Sequence, residues 1–147
     1  MNHKCLLIAA TALACAGSTR AQSTLGEILD RGATKITKEE WMARLPVTTT
    51  DFWPAYRRGE TQFTYNPDGT LVGMLFDYAS GSTSEADGTW TVDDAGKVCT
   101  FHRNLAGAPW RAGAEECSIR YQLGDKTFRI VSEPDRSAKI IKTVISK

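Results

Sequence analysis

The side chains that could do chemistry are few, and their spacing limits what they can do. His102 is the only imidazole after residue 21, and Cys99 and Cys117 are the only thiols there. Nucleophilic catalysis needs a base beside a Ser, Thr or Cys. No Gly-x-Ser-x-Gly elbow is present. His102 lies in a strand-like run, on the face opposite Cys99 and Phe101 and next to Arg103, which predicts a solvated position. Asp93-Asp94 and Glu115-Glu116 are adjacent acids. On a strand such neighbours point to opposite faces, and in a turn they are simply solvated, so neither pair suits acid and base work. Asp87, Asp93 and Asp94 supply too few oxygens for a calcium loop, and a zinc site built on the two thiols would lack ligands. No phosphate-binding glycine motif and no Cys-x-x-Cys occurs. The sequence therefore points to no catalytic residue, no metal and no cofactor. A cleft joining His102 to a carboxylate and a hydroxyl would restore the alternative, an enzyme with a distributed site.

Cys99 and Cys117 are read instead as a structural disulfide, the single intramolecular pairing that two cysteines allow. Closing the 17 residues between them is worth about 3 kcal/mol on the chain-entropy model. Two segments suit binding better than catalysis. Residues 51–58 concentrate Phe52, Trp53, Tyr56, Arg57 and Arg58 beside Pro54, and residues 104–115 form a Gly, Ala and Pro-rich loop with Trp110 and Arg111 at its centre. Trp, Tyr and Arg dominate interface energetics, and loops are where they are displayed. Trp53, Tyr56, Arg57, Trp110 and Arg111 are therefore the candidate binding residues. The competing reading folds these aromatics back over a barrel end as cover.

The compartment follows from the first residues. Lys4 opens a positive n-region, residues 5–17 are apolar and alanine-rich, and Thr19-Arg20-Ala21 ends in a small residue before Gln22. This pattern predicts a signal peptide over residues 1–21 and a single β-rich domain over 22–147. Ala12-Leu13-Ala14-Cys15 loosely resembles a lipobox that would anchor a lipid at Cys15, but Ala12 stands where such motifs carry Leu. Cleavage before Gln22 is the preferred reading. Removing Lys4 and Arg20 takes two of the 18 basic residues while all 17 acidic ones remain, so the net charge moves from +1 to −1. A near-neutral domain does not fit nucleic acid, which requires a basic face. The leading apolar run is too short to cross a membrane, which takes about 20 apolar residues, and no later stretch comes close.

The elements that must position these residues are mostly strands. Thr24-Leu25-Gly26-Glu27 and Thr37-Lys38-Glu39-Glu40 are capping boxes that start two short helices. Strand patterns then follow at 62–66, 70–78, 88–92, 97–103, 117–122, near Phe128 and Ile130, and at 139–145, with residues 79–86 read as a polar loop. Turn signals separate them at Asn66-Pro67-Asp68-Gly69, Asp93-Asp94-Ala95-Gly96 and Gly124-Asp125. About seven strands without helical crossovers predict a mainly β fold. The expected form is an antiparallel meander making a small barrel or strongly curved sheet, with the helices plugging one end. Cys99 and Phe101, then Cys117, Ile119 and Tyr121, then Phe128 and Ile130, are taken as the inward face.

The run 25–33, the Asn66-Pro67-Asp68-Gly69-Thr70 turn, Gly88-Thr89-Trp90-Thr91-Val92 with Gly96 and Cys99, and Cys117 with residues 121–125 resemble small exported proteobacterial proteins of unknown function. The resemblance implies a shared β fold and disulfide and transfers no functional residue. Lipocalin barrels carry a Gly-x-Trp near their first strand, whereas Gly88-Thr89-Trp90 lies mid-chain. The leading expectation is an exported, periplasmic or secreted, non-catalytic binding or accessory protein of the inhibitor, immunity or envelope-factor type, its partner an envelope or secreted protein. The alternative is a lipocalin-like carrier with a cavity lined by Phe76, Tyr78, Phe101, Tyr121 and Phe128, which a packed interior would eliminate.

Overall fold

The computed structural model describes residues 24–53, 59–105, 113–131 and 134–146, without the side chains of residues 104 and 105. The predicted signal peptide, Cys15, Tyr56, Arg57, Trp110 and Arg111 lie outside the described residues.

The chain is mainly β. Helix α1 (Leu25–Leu29), a short strand β1 (Thr34–Lys35) and helix α2 (Lys38–Met42) precede eight strands. These are β2 (Val47–Trp53), β3 (Gly59–Tyr65), β4 (Thr70–Asp77), β5 (Ser82–Val92), β6 (Lys97–Leu105), β7 (Glu115–Leu123), β8 (Lys126–Ile130) and β9 (Ile141–Ser146). Each of the eight pairs antiparallel with the next, and β9 returns to β2 through Thr48↔Ser146 to Phe52↔Lys142, closing the barrel. Closure leaves no open edge. Beyond the reach of β6, the free half of β7 is covered by β1 through Lys35↔Tyr121 and Thr34↔Gln122.

Both helices start as their capping boxes require: Thr24 and Thr37 accept from the backbone of Glu27 and Glu40, whose carboxylates return to the cap amides. The helices have separate jobs. Only α2 plugs the barrel, burying Trp41 edge-on against Tyr65 at 5.2 Å. α1 lies on the outer wall, where Leu25 and Ile28 pack with Tyr121, Phe128 and Ile130. The inner core holds Trp41, Val47, Phe63, Tyr65, Leu71, Trp90 and Val98. Gly73 makes room for Phe63 directly opposite it, since a Cβ there would stand 2.5 Å from the ring.

Four expectations change. Among the described residues the strands number nine, because β1 is a short strand and the β-branched run at 47–50 belongs to β2, of which Trp53 is the last residue rather than part of a loop. Of the polar stretch 79–86, residues 82–86 belong to β5. The faces of β6, β7 and β8 are reversed: Val98, Thr100 and His102, then Ser118 and Arg120, then Thr127 and Arg129 are the buried inward residues. The apolar residues Ile119, Tyr121, Phe128 and Ile130 point out of the barrel and are buried under α1. The Cys99–Cys117 disulfide forms as expected, between directly opposed residues, but on the outer wall and half-buried.

Candidate functional site

The barrel has two unlike ends. At the α2 end the short turns at Gly69, Gly96 and Gly124 each place a glycine at positive φ, and aromatic rings fill the interior. Here Arg120, 1% exposed, lies 4.4 Å over the Trp41 ring and donates to the Tyr65 hydroxyl at 3.0 Å. At the opposite end, where β2, β4, β6 and β8 finish, the inward residues become polar. This change of lining is the feature that sets up a site.

A small pocket lies at that end, with room for about one water-sized group. Its walls are Trp53, Thr61, Phe63, Tyr65 and Leu75, and its polar groups are Thr100, His102, Glu116 and Arg129. Arg129 on β8 is 3% exposed and Asp51 on β2 is fully buried. Arg129 Nη1 donates to Asp51 Oδ2 at 2.6 Å and Nη2 to Glu116 Oε1 at 2.5 Å, while the Thr143 hydroxyl donates to Asp51 Oδ1 at 2.5 Å. Burial acts to lower the Arg129 pKa, but the Asp51 and Glu116 carboxylates outweigh it and hold the guanidinium firmly protonated. The guanidinium carbon also lies 5.7 Å from the Trp53 ring, whose indole N–H donates to Thr61 at 3.2 Å. Trp53, a predicted binding residue, is thus half-buried in the pocket wall.

His102 is not solvated, as its neighbours in sequence implied. It is 9% exposed, with its ring 5.2 Å from that of Phe63. The Thr100 hydroxyl has one proton and donates it to the Glu116 carbonyl at 3.2 Å. The 3.4 Å contact between Thr100 Oγ1 and His102 Nε2 must then run from the ring N–H to the hydroxyl. Nδ1 is left as a bare lone pair, buried and without a hydrogen-bond partner among the described residues. Burial lowers the His102 pKa below its ordinary value, with Arg129 adding to the effect and Glu116 opposing it. The ring is therefore neutral at physiological pH. Arg129 Nε is also unpaired among the described residues.

The residues proposed for an apolar cavity stand elsewhere. Phe76 alternates with the inward Leu75, Tyr78 and Phe101 are exposed, and Tyr121 and Phe128 lie under α1. Among the described residues, the one cluster with three metal-ligand side chains is Cys99, Glu115 and Cys117, and its sulfurs are tied up in the disulfide. His102 and the Asp51–Arg129–Glu116 network are what sequence reasoning missed. One signal was present: the 93–96 turn sets Val92 opposite Val98 and Trp90 opposite Thr100, so the side that buries Trp90 also buries His102.

No protein family model, curated protein or solved structure matches the chain.

Proposed function

We propose that this chain is an exported, non-catalytic binding protein, an accessory or inhibitor-type factor of the periplasm or the secreted space, and that it binds through the polar end of the barrel. The observation that carries this reading is a polar barrel end whose groups are fixed before any ligand arrives: the buried Asp51 and Arg129 and the half-buried Glu116 hold one another, beside His102 and Trp53. The leader-like first residues and the Cys99–Cys117 disulfide support the compartment. Among the described residues no helix is long and apolar enough to cross a membrane.

A second reading, an enzyme with a distributed site, is favoured by one observation, since the pocket does join His102 to a carboxylate and to hydroxyls. It ranks lower because the nearest hydroxyl, Thr100, spends its proton on a backbone carbonyl, and because His102 Nδ1 has no orienting acid among the described residues. An apolar carrier finds less support, as the interior between the two ends is filled by Phe63, Tyr65 and Trp90. Affinity capture from the native envelope with the tagged protein tests the leading reading. One stoichiometric partner, retained by wild type and lost on Trp53→Ala, is the expected result. A partner that survives Trp53→Ala but is lost on changing the outer wall, for example Val144→Glu, would refute it.

A further inference from the structure

We propose that the Cys99–Cys117 disulfide is a site of thiol–disulfide exchange with a fixed polarity: an incoming thiolate attacks Cys117 through a cleft on the outer wall, and Cys99 is the sulfur released. The inference concerns this cleft and stands apart from the reading of the polar end. Exchange at a disulfide is a displacement in which the incoming, central and leaving sulfurs stand close to a line, so access along the S–S axis decides which sulfur reacts. Cys99 and Cys117 are directly opposed on β6 and β7, and the axis therefore runs across these two strands. Both residues are half-buried.

The two ends of this axis differ. Beyond Cys117, on the side of β7 away from β6, the β7–β8 ladder ends at Ile119↔Ile130 among the described residues. A cleft of about 240 Å³ lies there, lined by Cys117, Ser118, Ile119 and Ile130 together with Val131 and Pro134 from beyond β8. Cys117 lines this cleft and Cys99 does not. Its volume is many times what one water needs, which leaves room for a thiolate on a methylene stem. Beyond Cys99 the wall is continuous. Thr91 on β5 is paired with Cys99, on the same outer face, within an unbroken run from Gly88↔His102 to Val92↔Val98. An in-line approach is open to one sulfur and blocked at the other.

Two charges flank the approach. Lys97 and Glu115 also line the cleft, and a Glu115 carboxylate oxygen lies within 4.8 Å of both sulfurs. Lys97 attracts a thiolate and Glu115 opposes it, so the rate must respond to each with opposite sign. The chemistry balances with a dithiol as reductant. Its first thiolate bonds to Cys117 Sγ, the S–S bond breaks, and the electron pair leaves on Cys99 Sγ, which takes a proton from solvent. Its second thiol loses a proton and attacks the mixed disulfide, and Cys117 leaves as a thiolate and is protonated. The dithiol is oxidised to a disulfide, and Cys99 and Cys117 are reduced to thiols. Among the described pairings, the stretch 115–118 then keeps only its ladder to β6. That stretch carries Glu116, a partner of Arg129.

The test uses the full mature chain in its oxidised form, near neutral pH. N-acetylcysteine, a small monothiol, is added, freed thiols are trapped at early times with N-ethylmaleimide, and both products are mapped by mass spectrometry. The mixed disulfide is expected on Cys117 and the maleimide on Cys99, in at least about tenfold preference. Pro134→Trp places a ring in the cleft and should slow exchange about tenfold, whereas Thr91→Trp, on the far side, should leave the rate unchanged. Lys97→Gln should slow it about threefold and Glu115→Gln should speed it about threefold. Val131→Trp obstructs the same cleft from a second position, and thermal melts identify any variant that has lost its fold. A short Cys-x-x-Cys peptide distinguishes the sources of the thiolate. Faster reduction by the peptide than by N-acetylcysteine at equal thiolate concentration assigns the cleft to a protein-borne dithiol, and the reverse assigns it to a small thiol. An adduct on Cys99 or equally on both sulfurs would overturn the inference. So would a rate slowed by Thr91→Trp but by neither cleft variant, or a native protein that does not react at all.

Discussion

Replacing Asp51 by asparagine tests whether the polar end is built as described. The substitution keeps the side chain's shape and can keep the Thr143 contact, but it removes the negative charge facing Arg129 Nη1. Both members of the pair are at least 97% buried, so the guanidinium cannot recover hydration. Breaking one partner of a buried pair costs about 3–5 kcal/mol. Glu116 still accepts from Nη2, which places Asp51→Asn at the lower end, about 3 kcal/mol. That is a large share of a total stability of about 5–15 kcal/mol, and for a chain of this size it lowers Tm by roughly 10 °C. Urea unfolding followed by tryptophan fluorescence measures it, with an unchanged m-value expected if only the native state is affected. The companion variant Asp51→Leu with Arg129→Met should recover most of the loss, because a well-packed apolar pair no longer leaves a charge stranded. A cost below about 1 kcal/mol for Asp51→Asn would show that water reaches Arg129. A double variant no better than the single would show that shape, not charge, is what Asp51 supplies.

Two further outcomes follow from the fold. Cys99→Ser with Cys117→Ser should lower stability by about 3 kcal/mol and should first release amide protection along the short β6–β7 ladder, residues 97–101 against 115–119; protection lost first elsewhere would disprove the assignment. His102 has a pKa below its unfolded value, so its contribution to stability is complete above about pH 6.5 and declines as pH falls through the lowered folded pKa. Comparing the acid limb of the stability–pH curve with that of His102→Phe, which should be shallower by at most about 1.4 kcal/mol per pH unit, checks the sign; a steeper limb in the variant would contradict it.

Turn chemistry was legible because it is local: Asn66 to Gly69 and Asp93 to Gly96 close their hairpins with the expected Gly69 and Gly96 amides donating back, at 3.1 and 2.9 Å, to Asn66 and Asp93. Capping boxes were legible for the same reason. Alternation identified which residues share a face, and every such grouping in β6, β7 and β8 holds. It could not identify which face is inside, since that depends on what covers each side. In β7 and β8 the apolar side is covered by α1, five residues long and distant in sequence. The inward side keeps Ser118, Arg120, Thr127 and Arg129, which read as solvent-facing until the barrel closes around them. The site was hidden by this reversal, because His102 and Arg129 look like surface residues in a window of ten.

The reversal also bears on why the polar end exists. An interior ion pair is a weak way to stabilise a fold, because desolvation offsets much of the attraction. At the α2 end Trp41, Val47, Tyr65, Leu71 and Trp90 fill the cross-section around a second buried guanidinium, that of Arg120. Stability alone is therefore a weak account of Asp51, Glu116 and Arg129 at the opposite end. What these groups supply that leucine and methionine would not is a fixed field at the end of the barrel where β2, β4, β6 and β8 finish. The Asp51→Leu, Arg129→Met variant separates the two roles within one molecule. It should recover most of the stability lost in Asp51→Asn and, having lost the fixed ion pair, should no longer capture the envelope partner. Retained binding in a stable variant would mean that the buried charges serve the fold after all.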